Sequence, residues 1–213
     1  ILYGKQIFFY LLERYPQLVE EIYLAKEVDK KLFSAITKHS KKIIKVDPKK
    51  AQSMARGGNH QGFLIKIEEI PFANLSDLKK EQMILVLVGL SDVGNIGAII
   101  RSAYALGVDG VIISGIQRVA LEGVIRTRSS AALDMPLVLF KDTATLVNEL
   151  RQAGFTTYAA DMSGMDVRKM TFSAKKVLLM GSEGEGIPNR ILKMVDEKVK
   201  IEMQRSFDSL NVS

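Results

Sequence analysis

Residues 83–106 read MILVLVGLSDVGNIGAIIRSAYAL. The run from Met83 to Val88 has no polar alternation, the pattern of a parallel strand buried on both faces. Gly89 closes the run, a polar loop follows, and NIGAIIRSAYAL predicts a helix that Gly107 ends. The alternation continues downstream. VIIS is a strand, LEGVIRTRSSAAL is helical and PLVLF is a strand. Thr143 to Ala153 is a helix with Gly154 at its carboxyl end, and TTYAAD and VLLMG are strands. Pro188 to Val195 is a helix and KVKIEM a final strand. Strands alternating with helices predict an α/β domain with a parallel sheet, whose ligand sites lie beyond the carboxyl ends of the strands.

Upstream, Ile7, Phe8, Leu11 and Leu12 give Gly4 to Arg14 a helical stripe that Tyr15-Pro16 ends. EEIYLA and KKIIKV are short strands, with Asp29 placed to cap a helix between them. Asp47-Pro48 starts another short helix, and GGNHQGFLIKI is a glycine loop entering a strand from Gly62 to Ile67. Residues 1–70 therefore form a small α/β domain, 71–82 (PFANLSDLKKEQ) a linker, and 83–213 the larger domain.

Composition bounds the chemistry. The chain has 213 residues, 47% of them hydrophobic, which supports a substantial core. It has no Cys, so disulfides, thiolate metal sites and a cysteine nucleophile are excluded. Only His39 and His60 offer imidazoles, and no metal site is expected. No apolar run approaches the ~20 residues of a membrane span, so no membrane partner is expected, and a reducing cytoplasm fits the Cys-free chain. The chain starts at Ile1 without Met and stops after a polar motif at Ser213, so both ends read as trimmed, with a carboxyl-terminal helix expected beyond. Net charge is +6, and residues 1–82 carry 15 Lys+Arg against 10 Asp+Glu. That bias suits either a polyanion-binding module or an ordinary lysine-rich surface.

Three strand ends carry unusual residues. In GLSDVGNIGAIIRSA, Asn95 is placed as a helix N-cap or a polar site group. Arg101 lies on an otherwise apolar helix, where a cation is either functional or reaches out to a surface carboxylate. MGSEGEGIPNR, residues 180–190, has three glycines but not the dinucleotide spacing G-x-G-x-x-G, and no Gly-Lys-Ser/Thr follows. Glu183 and Glu185 would repel phosphate, so the stretch is either a tight turn or a seat for a cationic or nucleoside ligand. IEMQRSFDSLNVS, residues 201–213, either grips a purine edge through Ser and Asn groups or caps a following helix.

Taken together and in this order, DVGNIGAIIRSA, GSEGEG and IEMQRSFDSLNVS resemble the signature motifs of the SpoU (TrmH-like) family of RNA ribose 2′-O-methyltransferases, of the SPOUT superfamily. LYGKQ, LLERYP and NHQGF in the first seventy residues look like the substrate-binding domain of its ribosomal RNA members, similar to ribosomal protein L30e. The resemblance implies a methyltransferase domain with a carboxyl-terminal trefoil knot, S-adenosylmethionine as methyl donor and a homodimer. The implied substrate is RNA, foremost a guanosine ribose of large-subunit ribosomal RNA. By motif position, Asn95, Arg101, Glu183, Ser209 and Asn211 would form the reacting centre. Met180, Gly181, Ile201, Met203 and Leu210 would contact the donor, with Gly181 opening room for it. Arg56, Asn59, His60 and Gln61 are candidates for RNA contact, His60 equally a structural histidine. Val93, Glu202 and Arg205 depart from the family's Pro, Pro and Gly, and the latter two fall in the donor segment.

A ribose hydroxyl attacks only as its proton is drawn away. Arg101 would be the base in an apolar or cationic site, or it would clamp the neighbouring phosphate while a carboxylate or water takes the proton. The alternatives are a transfer RNA substrate, an RNA-binding paralogue without catalysis, and a dinucleotide-dependent enzyme, which lacks its glycine pattern here.

Overall fold

The computed structural model describes residues 1–38, 42–126, 130–202 and 212. The chain divides into two compact units, Ile1–Pro71 and Phe72–Ser213.

The first unit runs β1 (Leu2–Tyr3), α1 (Lys5–Arg14), a 3-10 turn (Pro16–Leu18), β2 (Val19–Leu24), α2 (Lys30–Thr37), β3 (Ile43–Lys45), α3 (Pro48–Met54) and β4 (Phe63–Ile67). Its sheet has the order β1-β4-β2-β3, with β2 and β3 parallel and the other pairs antiparallel. Phe63, Leu64 and Ile65 are all buried because both faces of β4 are covered. Phe63 meets Phe8 of α1 at 4.9 Å between ring centroids, while Leu64 packs with Ala51 and Ala55 at α3. The expected caps form: Asp29 accepts from the Leu32 N–H at 2.7 Å and Asp47 from the Lys50 N–H at 2.9 Å.

The second unit runs α4 (Leu75–Leu78), β5 (Met83–Val88), α5 (Val93–Ala105), β6 (Gly110–Ser114), α6 (Leu121–Arg126), α7 (Ala131–Asp134), β7 (Leu137–Phe140), α8 (Thr143–Gln152), β8 (Thr156–Asp166), a 3-10 turn (Val167–Lys169), β9 (Lys176–Gly181), α9 (Asn189–Leu192) and β10 (Glu197–Lys200). Its six strands are parallel in the order β10-β8-β9-β5-β6-β7. The run MILVLV is the central strand, with Ile84, Val86 and Val88 packed in one core with Ile112, Val138, Leu146, Leu150 and Leu179.

Four details differ from the sequence reading. The stretch 71–82 carries α4, whose Leu78 is 1% exposed within the second unit's core, and the Ala73 N–H bonds the Leu137 carbonyl. β8 continues past TTYAAD through MSGMD, because β10 pairs along it across a register shift at Lys198/Val199. At that shift a Cβ on Gly164 would lie 2.5 Å from the Val199 nitrogen, so only glycine fits. α9 is one turn, shorter than Pro188–Val195, and β10 ends at Lys200, before Ile201.

Leu78 also fills the space that a Cβ on Gly110 would occupy. Leu78→Ala should cost about 2–5 kcal/mol, read as a lower urea midpoint with an unchanged slope.

Candidate active site

In an open parallel sheet, ligands settle where connections leave neighbouring strands in opposite directions. Here β5 connects through α5 to β6 on one side, and β9 connects through α9 to β10 on the other. These two strands pair in register from Met83↔Lys176 to Val88↔Gly181, so their carboxyl ends finish level. Gly89 (φ +71°) turns the chain out of β5, and its N–H is held by the Ser114 carbonyl at 2.8 Å.

The two motifs meet at this crevice. Asp92, not Asn95, caps α5: its Oδ1 accepts from the Asn95 N–H at 2.8 Å, because the helix starts at Val93. The Asn95 side chain is thereby free, and its Nδ2 donates to Glu183 Oε1 at 3.2 Å across 88 positions of sequence. Glu183 sits on a turn closed by the Gly186 N–H to the Ser182 carbonyl at 2.9 Å, with Gly186 at φ +64°. Gly181 has a different reason from the one expected. A Cβ there would lie 2.2 Å from the Gly186 carbonyl carbon and 2.5 Å from the Ile187 nitrogen. The turn's own backbone fills the space, so glycine permits the turn and leaves its exposed end to a ligand. The carboxylates of Glu183 and Glu185 are exposed there, which fits a cation and opposes a phosphate.

The other site candidates are not drawn to this bond. Arg101 lies exposed on α5, six residues past Asn95, and has no hydrogen bond or ion pair among the described residues. No carboxylate among the described residues pairs with it. Tyr104 and Leu106, 50% and 80% exposed, follow it. Met180 is half-buried near the end of β9, and Ile201 is exposed just past β10. Met203, Ser209, Leu210 and Asn211 lie outside the described residues, as do Arg205 and His39. In the first unit, Arg56, Asn59, His60 and Gln61 share one loop between α3 and β4. Arg56 and Asn59 are exposed, but Gln61 Oε1 accepts from the Lys5 N–H at 3.0 Å and His60 Nδ1 from the Gly62 N–H at 3.0 Å. An accepting Nδ1 leaves the neutral ring its proton on Nε2, a donor pointing elsewhere. Among the described residues no group of three or more His, Cys, Asp or Glu could hold a metal, and no helix is long and apolar enough to cross a membrane.

One contact had no sequence signal. Arg168 forks onto Asp166 with Nε–Oδ2 at 2.9 Å and Nη2–Oδ2 at 2.6 Å, and Nη2 also reaches Glu202 Oε2 at 3.4 Å. Glu202 stands where the family has Pro, and Arg168 ties it to the end of β8. The Arg168 guanidinium, bonded to Asp166, holds that carboxyl well below the usual range. A folded value below the unfolded one stabilises the native state above the unfolded pKa, near 4, and this contribution is lost only as pH falls through the lower folded value. Asp166→Asn should therefore lower thermal stability at pH 7 and shrink that deficit on acidification below about pH 4, measured by melting across pH.

Two family models match the chain: the SpoU rRNA methylase family over residues 82–213, and the RNA 2′-O ribose methyltransferase substrate-binding domain over residues 1–73. An uncharacterized tRNA/rRNA methyltransferase of Borreliella burgdorferi is 29% identical over 188 residues, covering 81% of this chain and 82% of that protein. A Staphylococcus aureus protein with a provisional assignment as a TrmH family tRNA/rRNA methyltransferase is 28% identical over 207 residues, covering 92% and 84%. Among solved structures, an AdoMet-bound rRNA methyltransferase from Sinorhizobium meliloti superposes with a TM-score of 0.81 at 24% identity, covering 99% of this chain and 80% of that one. The SpoU methyltransferase AviRb from Streptomyces viridochromogenes, in complex with AdoMet, gives 0.77 at 23% identity over 99% and 83%. Strand-end motifs, parallel sheet and family matches agree, and the chain belongs to the SpoU family of RNA ribose methyltransferases.

Proposed function

We propose that this chain methylates a guanosine ribose of large-subunit ribosomal RNA at its 2′-OH, as a cytoplasmic homodimer with a carboxyl-terminal trefoil knot. Family membership carries the reaction class, an S-adenosylmethionine-dependent RNA 2′-O-methylation. The observation that carries the site is the Asn95–Glu183 bond, which joins two distant motifs at the crevice between β5 and β9. The L30e-like reading of residues 1–70, with Arg56, Asn59, His60 and Gln61 toward RNA, is supported by the substrate-binding match and the exposure of Arg56 and Asn59. The exposed Tyr104 and Leu106 beside Arg101 support a second copy on that side of α5. The Cys-free chain suits a reducing compartment.

Bound donor supplies a methyl on a positively charged sulfur, open to in-line attack. The residues of this chain position the attacking oxygen and manage its proton. Glu183, oriented by Asn95, takes the 2′-OH proton as the oxygen–methyl bond forms and the methyl–sulfur bond breaks. Arg101, long and exposed, suits a clamp on the adjacent phosphate rather than a base. By motif position, Met180, Gly181, Ile201, Met203 and Leu210 are assigned to the donor, and Ser209 and Asn211 to the reacting centre.

The direct test is methyl transfer from labelled donor to a large-subunit ribosomal RNA transcript, with the methylated ribose mapped. Methylation confined to transfer RNA would overturn the ribosomal assignment, and none on any RNA the catalytic one. Glu183→Gln should lower kcat by about 10²–10⁴-fold with donor affinity retained. Arg101→Lys should keep measurable turnover with weakened RNA binding. Near-total loss of turnover with RNA binding intact would make Arg101 the base.

A further inference from the structure

The first unit holds a cavity whose lining includes none of the candidate site residues. It lies beyond the carboxyl ends of β2 and β3, which pair in parallel with Leu24 opposite Lys45, the position where an α/β sheet seats ligands. Its volume is about 540 Å³, within the roughly 300–1,000 Å³ of small-ligand sites. Lys45 ends β3, Lys26 follows β2 by two residues, and Lys30 opens α2. Lys30, Phe33, Ser34 and Thr37 recur at helical spacing, so one stripe of α2 forms the far wall.

Charge and chemistry are selective. None of the three lysines has an ion pair among the described residues, whereas nearby Lys42 and Lys66 are matched to Glu21 and Glu20. Glu27 is the acid in the lining; Asp29, next to it, is committed to its helix cap. Phe33 is 39% exposed, with Leu24 and Val28 as apolar floor. Lys26 is held in place: its Nζ stands 4.4 Å over the Phe63 ring, and its stem fills the space beside Gly62. The Ala25 N–H also bonds the Gly62 carbonyl at 2.9 Å, so this wall joins the Arg56–Gln61 loop. A planar group against Phe33, flanked by anions on unpaired ammoniums, is the chemistry of a nucleotide within a strand.

Resting on the RNA-substrate reading above, we propose that this pocket takes one unstacked nucleotide of the RNA, its base against Phe33 and its flanking phosphates on Lys26, Lys30 and Lys45. The nucleotide is one that anchors the substrate, distinct from the one methylated. All four side chains are exposed, so their substitution tests binding without emptying the core.

The experiment titrates the full chain with a fluorescent single-stranded RNA oligonucleotide of mixed sequence, over a range of salt. Phe33→Ala should weaken binding by about tenfold, and Phe33→Trp should restore it. Lys30→Gln with Lys45→Gln should flatten the slope of log affinity against log salt by about 0.7 for each phosphate no longer neutralised. Donor affinity and melting temperature should not move. Binding by these variants equal to the parent's, no RNA binding by the parent, or equally tight binding of a free nucleoside monophosphate would each overturn the proposal. Pocket-dependent RNA binding by a chain that transfers no methyl would overturn the catalytic reading and leave the pocket standing.

Discussion

The parallel pairing of β5 with β9 is the constraint from which the site follows. Six consecutive partners in register bring Val88 level with Gly181, so the loops that leave these strands start side by side although 92 residues separate them. Each strand then hands its chain to the opposite side of the sheet. The resulting crevice needs no dedicated scaffold, since the core residues Val86, Leu179 and Ile112 that hold the strands also hold its floor. Asn95 and Glu183 find each other at 3.2 Å because that register leaves them no great distance to cross. A slip of one residue would turn every side chain of β5 to the other face and separate the two motifs.

The glutamates in a glycine turn contradict a phosphate cradle, and the structure gives the contradiction a physical form. Gly181 and Gly186 serve the turn, one by lacking a Cβ and the other by its positive φ. The carboxylates remain at the exposed edge, where they favour a positively charged ligand. Asn95 occupies one carboxylate oxygen of Glu183 and leaves the other available. A carboxylate held this way has a fixed direction but keeps acceptor capacity, which a base needs.

Most of the second unit was legible because its strands are buried on both faces and read as continuous apolar runs. MILVLV, VIIS and VLLMG have no other comfortable place. β8 beyond Asp161 was not legible: MSGMD has polar and glycine positions that a strand tolerates only because β10 lies across Gly164. The sequence reading puts the cap of α5 at Asn95, three residues late, because Asn is as good a cap type as Asp; the choice of Asp92 freed Asn95 for the site. α4 was hidden because one turn of helix carries no periodicity, and Leu78 finds its core only in three dimensions. In the first unit, the loop 56–62 announced itself by its glycines, yet the internal duties of Gln61 and His60 depend on Lys5 and Gly62 positions that no pattern marks.

Glu202 shows how a departure from a family pattern acquires a partner. A proline at that position would restrict the backbone entering the donor segment through its ring. Glutamate offers no such restriction, but Arg168 reaches its carboxylate from the end of β8 while forking onto Asp166. Asp166 is buried where Arg168 is largely exposed, so one end of the chain of contacts is fixed in the fold and the other is solvated. A solvated pair at 3.4 Å is worth little by itself. Its effect is on direction, since the guanidinium is already oriented by Asp166 and only the glutamate must be ordered. The restraint that proline builds into the backbone is here carried by side chains, and it weakens with salt as a ring would not.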